Sequence, residues 1–334
     1  MADVVIVVGA KRGPETVPVA EIRQMVGRAG RKHGGDACKA YVLVDGEDFV
    51  DVQEGMEGDA KFEVSSAMVS CDDVVFHLLP GICLGDVADD ADAAMWYARS
   101  FGSAQGRKPD LGRVFKKLEE WEAVECTPLG WVPTKMAYVA SDMYFHPADV
   151  KAWRDNFRVL FEAGLERDDA AVAWALGSVP MMDASGDFGN HRFVMSLYKE
   201  ALPAELSAEP GMVAKGTLWW SALGGPSVGR MRNRMLEFRG DFGRLSRVLL
   251  RLNEIEEWGM EKFFVELEKR MRKGIPDGLC ELFRIRGMTK GMAQFLYNAG
   301  VRNRQDIRES VDSFEDDVDE LGMCFLREVA SGIR

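Results

Sequence analysis

Hydrophobic and polar positions alternate in distinct ways along the chain. Val4 to Val8 is an unbroken β-branched run that stops at Gly9, the pattern of a strand in a parallel sheet covered on both faces. Residues Val19 to Arg31 follow a helical period, and Ala40 to Val44 returns as a strand. Strand, helix and strand form one crossover unit. A single crossover cannot cover both faces of its own sheet, and two strands are marginal alone, so this N-terminal piece is expected to be an incomplete domain.

The pattern after residue 60 is almost entirely helical. An Asp-, Glu- and Gly-rich loop at 45–60 precedes helices predicted over 61–79 and 90–101. Leu111 to Trp121 is amphipathic, with Leu111, Val114, Phe115, Leu118 and Trp121 on one side. Val124 to Trp131 reads as a short β-turn-β wing, and three helices with a wing make a winged-helix module. From Pro147 to Gly274 helices continue, broken at Gly164, Pro180 to Asn190, Pro203, Pro210 and Gly224-Gly225-Pro226. The last of them is predicted to run from Arg239 to Lys273, interrupted, if anywhere, near Gly259. A helix at 279–285, a turn at Gly287-Met288-Thr289 and a helix at 293–298 close the series. The expected fold is mainly α. It begins with the end of an α/β domain (1–55), followed by a winged helix (56–146), a helical bundle (147–275) and a hairpin unit with an acidic tail (276–334).

Composition narrows the class. The 334 residues are 47% hydrophobic, which excludes a disordered chain. The six cysteines form no CxxC pair, and with the four histidines they show no zinc-ligand spacing, so free thiols in a reducing cytoplasm are expected. No apolar run reaches bilayer length and no basic segment precedes the first one, so no membrane partner and no signal peptide are expected. The net charge of −12 argues against a uniformly basic coat, yet it is unevenly spread. Residues 230–308 carry a net +7, and the remainder carries −19.

The strongest chemical signal is Gln24-Met25-Val26-Gly27-Arg28-Ala29-Gly30-Arg31. Two arginines three apart among small residues can aim at one site, and guanidinium forks suit phosphate oxygens. Glycine allows close approach of the backbone. A bare RxxR pair would instead read as a solvated basic helix end. The full string resembles motif VI of superfamily 2 helicases, in the form of the Ski-two-like branch, and Val4 to Val8 and Val17-Pro18-Val19 match that family's approach to the motif. The resemblance implies that this segment belongs to a second RecA-like domain facing ATP. Arg28 and Arg31 would be arginine fingers on the γ-phosphate, with Gln24 at the phosphates or the attacking water and Gly27 beside them.

The order of segments resembles the HelQ-related archaeal repair helicases. In that family an Arg and a Trp on a ratchet helix grip single-stranded DNA. Arg251 and Trp258, seven apart and so two helical turns apart, stand for them, with a core-anchor role for Trp258 as the other reading. Gly287-Met288-Thr289-Lys290-Gly291-Met292-Ala293 resembles a helix-hairpin-helix turn, flanked by Arg284, Arg286 and Lys290, that offers backbone N–H groups to DNA phosphates. Thr289 replaces its second glycine and lacks that residue's conformational freedom. A purely structural hairpin is the competing reading.

The sequence contains no GxxxxGK[ST] and no DExH box. ATP and Mg²⁺ are therefore expected only through a partner chain carrying the first RecA-like domain and the rest of the second. The reading is the C-terminal half of an ATP-dependent DNA helicase, cytoplasmic and nucleoid-associated in a prokaryote, acting on single-stranded or forked DNA. The resemblance implies 3′-to-5′ movement in repair or fork restart. The alternatives are a non-enzymatic DNA-binding or regulatory protein descended from a helicase, an RNA helicase fragment, and a truncated product.

Overall fold

A computed structural model describes residues 4–12, 15–29, 38–58, 65–181, 192–207, 209–227, 231 and 238–332. It is mainly α, with seventeen helices and three two-stranded sheets among the described residues. The chain divides into two compact units, Met1–Ser66 and Ala67–Arg334.

The first unit runs β1 (Val4–Val8), a hairpin of β2 (Lys11–Arg12) and β3 (Glu15–Thr16), α1 (Val19–Val26), β4 (Lys39–Leu43) and α2 (Phe49–Glu57). β1 and β4 are parallel, in register from Val4 opposite Lys39 to Val8 opposite Leu43. Ala10, Ile22 and Val52 are buried between them and the helices, with Val17, Val26, Val42 and Met56 around them. Arg23 fixes the end of α2 by donating to the carbonyls of Gly55 at 2.8 Å and Met56 at 3.1 Å. The acid-rich segment read as a loop thus contains a helix, because Val52 and Met56, four apart, put one apolar stripe on the core.

As a single crossover requires, β1 is covered on one face only: Ile6 is 59% and Val8 79% exposed, and Val4, Tyr41 and Leu43 share that open side. Side chains alternate across a strand, so Val7 is buried while its neighbours face out. The helix does not reach Arg31. It ends at Val26, and tight turns follow, with Arg28 N–H donating to Met25 and Ala29 N–H to Val26.

The second unit opens with α3 (Cys71–Leu84), α4 (Asp90–Ala98), α5 (Phe101–Ala104) and α6 (Leu111–Glu120), then β5 (Val124–Thr127), β6 (Gly130–Pro133) and α7 (Lys135–Met143). The first of these helices was expected over 61–79. A reciprocal cap between Ser70 and Asp73 starts it at Cys71, and Gly85 at φ 79° stops it beyond Pro80. The β5–β6 hairpin forms where the sequence placed a wing. Trp131 ties it down by stacking on Phe115 at 4.4 Å and donating its indole N–H to Asp90 at 2.9 Å.

The bundle follows as α8 (Pro147–Glu162), α9 (Asp169–Gly177), α10 (Arg192–Ala201), α11 (Pro210–Ala222), α12 (Phe242–Ile255) and α13 (Glu261–Lys273). One continuous core runs from Val74 through Trp153, Phe157 and Leu249 to Met271. α9 and α11 cross where Gly177 meets Gly216, and a Cβ on Gly177 would lie 2.6 Å from the Gly216 nitrogen. The long helix expected over 239–273 is interrupted near Gly259, where a break was expected if one occurred, and forms two helices. Glu257 at φ 52° and Gly259 at φ 71° turn the chain between them, and Asn253 accepts the Met260 N–H at 2.7 Å.

A 3₁₀ turn at Asp277–Leu279 leads into α14 (Cys280–Phe283), α15 (Lys290–Asn298), α16 (Arg304–Ser310) and α17 (Glu320–Ser331). Leu279, Leu282, Ala293, Leu296, Ile307, Leu326 and Val329 form a separate core. The acidic C-terminus is therefore not a tail: it supplies Phe314, Met323, Leu326 and Val329 to this core, while Glu315, Asp316 and Asp317 face solvent. Arg270, 1% exposed, pairs with both Asp169 and Asp277 and so ties α13 to α9 and to the start of the last four helices.

Candidate functional site

The motif at 24–31 is described as far as Ala29, and Arg31 lies outside the described residues. Gln24 and Arg28 are both exposed, one turn apart. Neither side chain has a hydrogen-bond or ion-pair partner among the described residues. Gly27 sits at φ −65°, a conformation open to any residue, so it ends the helix without needing glycine's freedom. Arg28 and Met25 stand on the rim of a cleft of about 410 Å³ lined by Val5 to Gly9, Lys11 and Val17. Lys11 is held by Asp48 at 3.2 Å. A free guanidinium therefore stands beside an open strand, the requirement for a group that meets an anion brought from outside.

Arg251 and Trp258 do not share a helical face. Arg251 is exposed on α12, with Asp142 at 4.0 Å. Trp258 lies after that helix ends, in the connector to α13. Its indole meets Phe161 edge-on at 5.3 Å and Phe264 at 6.1 Å, and the ring is half-buried. The two-turn spacing fails because the helix ends at Ile255 and Glu257 turns the chain at positive φ before Trp258 is reached. Arg247, four residues before Arg251, extends the exposed cationic side of α12 and is unpartnered among the described residues, whereas Arg244 is partly buried, stacked on Phe145 at 5.1 Å and ion-paired with Asp241.

The hairpin forms, and its details differ from expectation. Positive φ occurs only at Gly287, at 89°. Thr289 has extended backbone, φ −87° and ψ 159°, and its hydroxyl accepts the Met292 N–H at 3.2 Å as the N-cap of α15. Loss of the second glycine therefore strains nothing. Lys290 directs its ammonium to the Gly274 carbonyl at 2.6 Å, capping the end of α13. Arg284 is shared between Glu266 at 3.0 Å and Glu281, whose charges raise its pKa. Arg286 alone of these cations is exposed and unpartnered among the described residues.

Beside the hairpin, α13 and α14 enclose an open groove of about 510 Å³. Lys262, Lys269, Lys273, Val265 and Phe283 line it, and Arg284 is its one member among the candidate DNA-binding residues expected from the sequence. The signal was present as lysines at i, i+7 and i+11 of one helix. The thiols of Cys83 and Cys280 are pushed up to about 11 by burial and are poor nucleophiles near neutrality. No metal-ligand cluster and no helix long and apolar enough to cross a membrane occur among the described residues. No protein-family model and no curated protein sequence matches the chain.

Proposed function

We propose that this chain is the C-terminal half of an ATP-dependent DNA helicase. On this reading the Met1–Ser66 unit is the end of a RecA-like domain, α3 to α7 with the β5–β6 hairpin form a winged helix, α8 to α13 form a ratchet bundle, and the last four helices carry a helix-hairpin-helix. The observation that carries it is Arg28: within QMVGRAGR it is exposed and unpartnered among the described residues, beside a parallel strand whose outer face is apolar and open. Such a face needs a covering layer, and a complementary half with the missing strands would supply one while bringing a nucleotide to the arginine.

The residues fit an ATP-facing role in a limited sense. Arg28 can contact the γ-phosphate oxygens and stabilise charge that develops there, and Gln24 can orient the neighbouring polar groups. Bound Mg²⁺-ATP would supply the phosphoanhydride whose hydrolysis drives movement, held mainly by the complementary half. Arg31 would add a second guanidinium. Arg247, Arg251, Arg286 and the backbone N–H groups at the start of α15 would take DNA phosphates, and the open side of Trp258 would take a base.

The test is reconstitution with a chain that carries Walker A and DExH motifs. DNA-stimulated ATPase should appear only in the mixture, and Arg28→Ala should lower kcat by a factor of 10³ or more without abolishing assembly. Assembly with unchanged ATPase in that variant would remove the arginine-finger assignment. Salt-sensitive DNA binding by the isolated chain, with no ATPase in any mixture, would favour a non-enzymatic DNA-binding protein instead.

A further inference from the structure

The groove between α13 and α14 is lined in part by lysines that neither the hairpin nor the bundle uses. Lys262, Lys269 and Lys273 lie at i, i+7 and i+11 of α13, so one side of the helix presents all three. At 1.5 Å rise per residue they are spaced by about 10 Å and about 6 Å along the axis. Lys262 and Lys269 are exposed and have no ion pair or hydrogen bond among the described residues. Lys273 lies over the Phe283 ring at 5.9 Å.

The acidic groups nearby cancel this row only in part. Glu266, between Lys262 and Lys269 on the helix, is paired with Arg284 at 3.0 Å, which it shares with Glu281, and Glu261 adjoins Lys262 at the start of α13. Arg270 lines the groove from beneath, its charge committed to Asp169 and Asp277. Exposed Val265 and half-buried Phe283 give the floor an apolar strip with one aromatic ring. A cationic row along an apolar strip containing an aromatic matches a single nucleic-acid strand, whose phosphates need countercharge and whose bases need a surface to lie on. An acidic peptide would satisfy the lysines and leave Phe283 and Val265 unused. A rigid duplex presents no unstacked base to Phe283.

We propose that this groove is a track for single-stranded nucleic acid, with Lys262, Lys269 and Lys273 contacting consecutive stretches of backbone and Phe283 supporting a base. It rests on the DNA-binding part of the proposed function and extends it to a surface separate from the hairpin turn.

The experiment compares full-length wild-type chain with a Lys262→Ala/Lys269→Ala variant, both exposed positions where folding is unaffected. Binding of a fluorescent oligothymidylate is measured by anisotropy from 50 to 300 mM salt. Each lost phosphate contact should lower the magnitude of the slope of log K against log salt by about 0.7, so the double variant should lose about 1.4. Its affinity at 0.1 M salt should fall on the order of 10- to 25-fold, the same counterion release expressed as a ratio. Phe283→Leu, which keeps the apolar floor, should weaken binding with the salt slope unchanged. An unchanged slope and affinity in the double variant, with normal wild-type binding, would overturn the track and leave the proposed function standing. Wild-type chain that binds no oligothymidylate would overturn both. An equal loss for a duplex of the same length, or binding of polyglutamate as strong as that of the oligonucleotide, would reduce the groove to a general polyanion surface and overturn the single-strand assignment.

Discussion

Arg154 donates its two terminal nitrogens to the two carboxylate oxygens of Glu122, at 2.7 and 2.8 Å. Glu122 sits at φ 55° in the turn between α6 and β5, and Arg154 belongs to α8, so the pair fastens the hairpin to the bundle. The arginine side chain is 9% exposed and the glutamate 51%. Arg154→Met should therefore cost about 2–3 kcal/mol, less than for a fully buried pair because Glu122 can rehydrate. The bond to Arg154 holds the Glu122 carboxyl down at about 2. A depressed carboxyl stabilises the fold above its unfolded value of 4.5, and that contribution is lost as pH falls from 4.5 toward 2. Urea midpoints at pH 7 and pH 3 should diverge more for wild type than for Glu122→Gln.

His146 gives a second pH dependence of the same sign at a higher range. Its ring stacks parallel to Phe76 at 6.2 Å and meets Trp121 edge-on at 4.9 Å, while Nδ1 accepts the Ala148 N–H at 3.2 Å. Burial pushes its pKa below the ordinary 6.5, against the weaker opposing pull of the Asp72 carbonyl. The unfolded chain then binds the proton more readily, so stability is full above 6.5 and declines as pH falls through the window below it. His146→Asn keeps a capping acceptor and removes the titration. Thermal melts at pH 7.5 and 5.5 should show a larger drop for wild type than for that variant.

Elements whose signals are local were readable from the sequence. The run Val4 to Val8, the stripe of Leu111 to Leu118 and the hairpin at 124–133 form where the residue periods put them. Tertiary decisions were readable only in part. The break between α12 and α13 falls at Gly259, where an interruption was expected, but its other turn residue, Glu257, is a non-glycine at positive φ that no propensity announces. The start of α3 depends on a Ser70–Asp73 cap that outweighs the helical period upstream. At the candidate sites, the sequence identified residue types but not their commitments. Lys290 and Arg284 are engaged within the protein, whereas Lys262 and Lys269 are free among the described residues, and only side-chain placement separates them.

Thr289 provides a test of what the hairpin turn requires. As the N-cap of α15 it satisfies the Met292 N–H, and its backbone needs no left-handed angle. Thr289→Ala should cost about 1 kcal/mol of stability through loss of the cap. Thr289→Gly, which restores the usual hairpin glycine, should cost only a few tenths, and its oligonucleotide affinity should equal that of wild type. A large gain in affinity for the glycine variant would show that the threonine obstructs phosphate approach. Chemical denaturation and anisotropy on the two variants separate these outcomes.

A packing role and the proposed DNA contact of Trp258 would be confused by one substitution. Its contact with Phe161 and Phe264 makes it part of the bundle's packing, and its ring is partly exposed, which the proposed stacking requires. Trp258→Ala should lower stability by about 3 kcal/mol, the low end of aromatic truncation because the ring is not fully buried. It should also weaken single-strand binding by about 1–3 kcal/mol, the amount of one stacked base. Trp258→Phe keeps an aromatic face and should retain most of that binding. Phe161→Leu removes the ring beneath and should lower stability without an equal loss of affinity. If Phe161→Leu weakened binding as much as Trp258→Ala does, the tryptophan would be acting through the packing of the connector, and stacking on a base would be excluded.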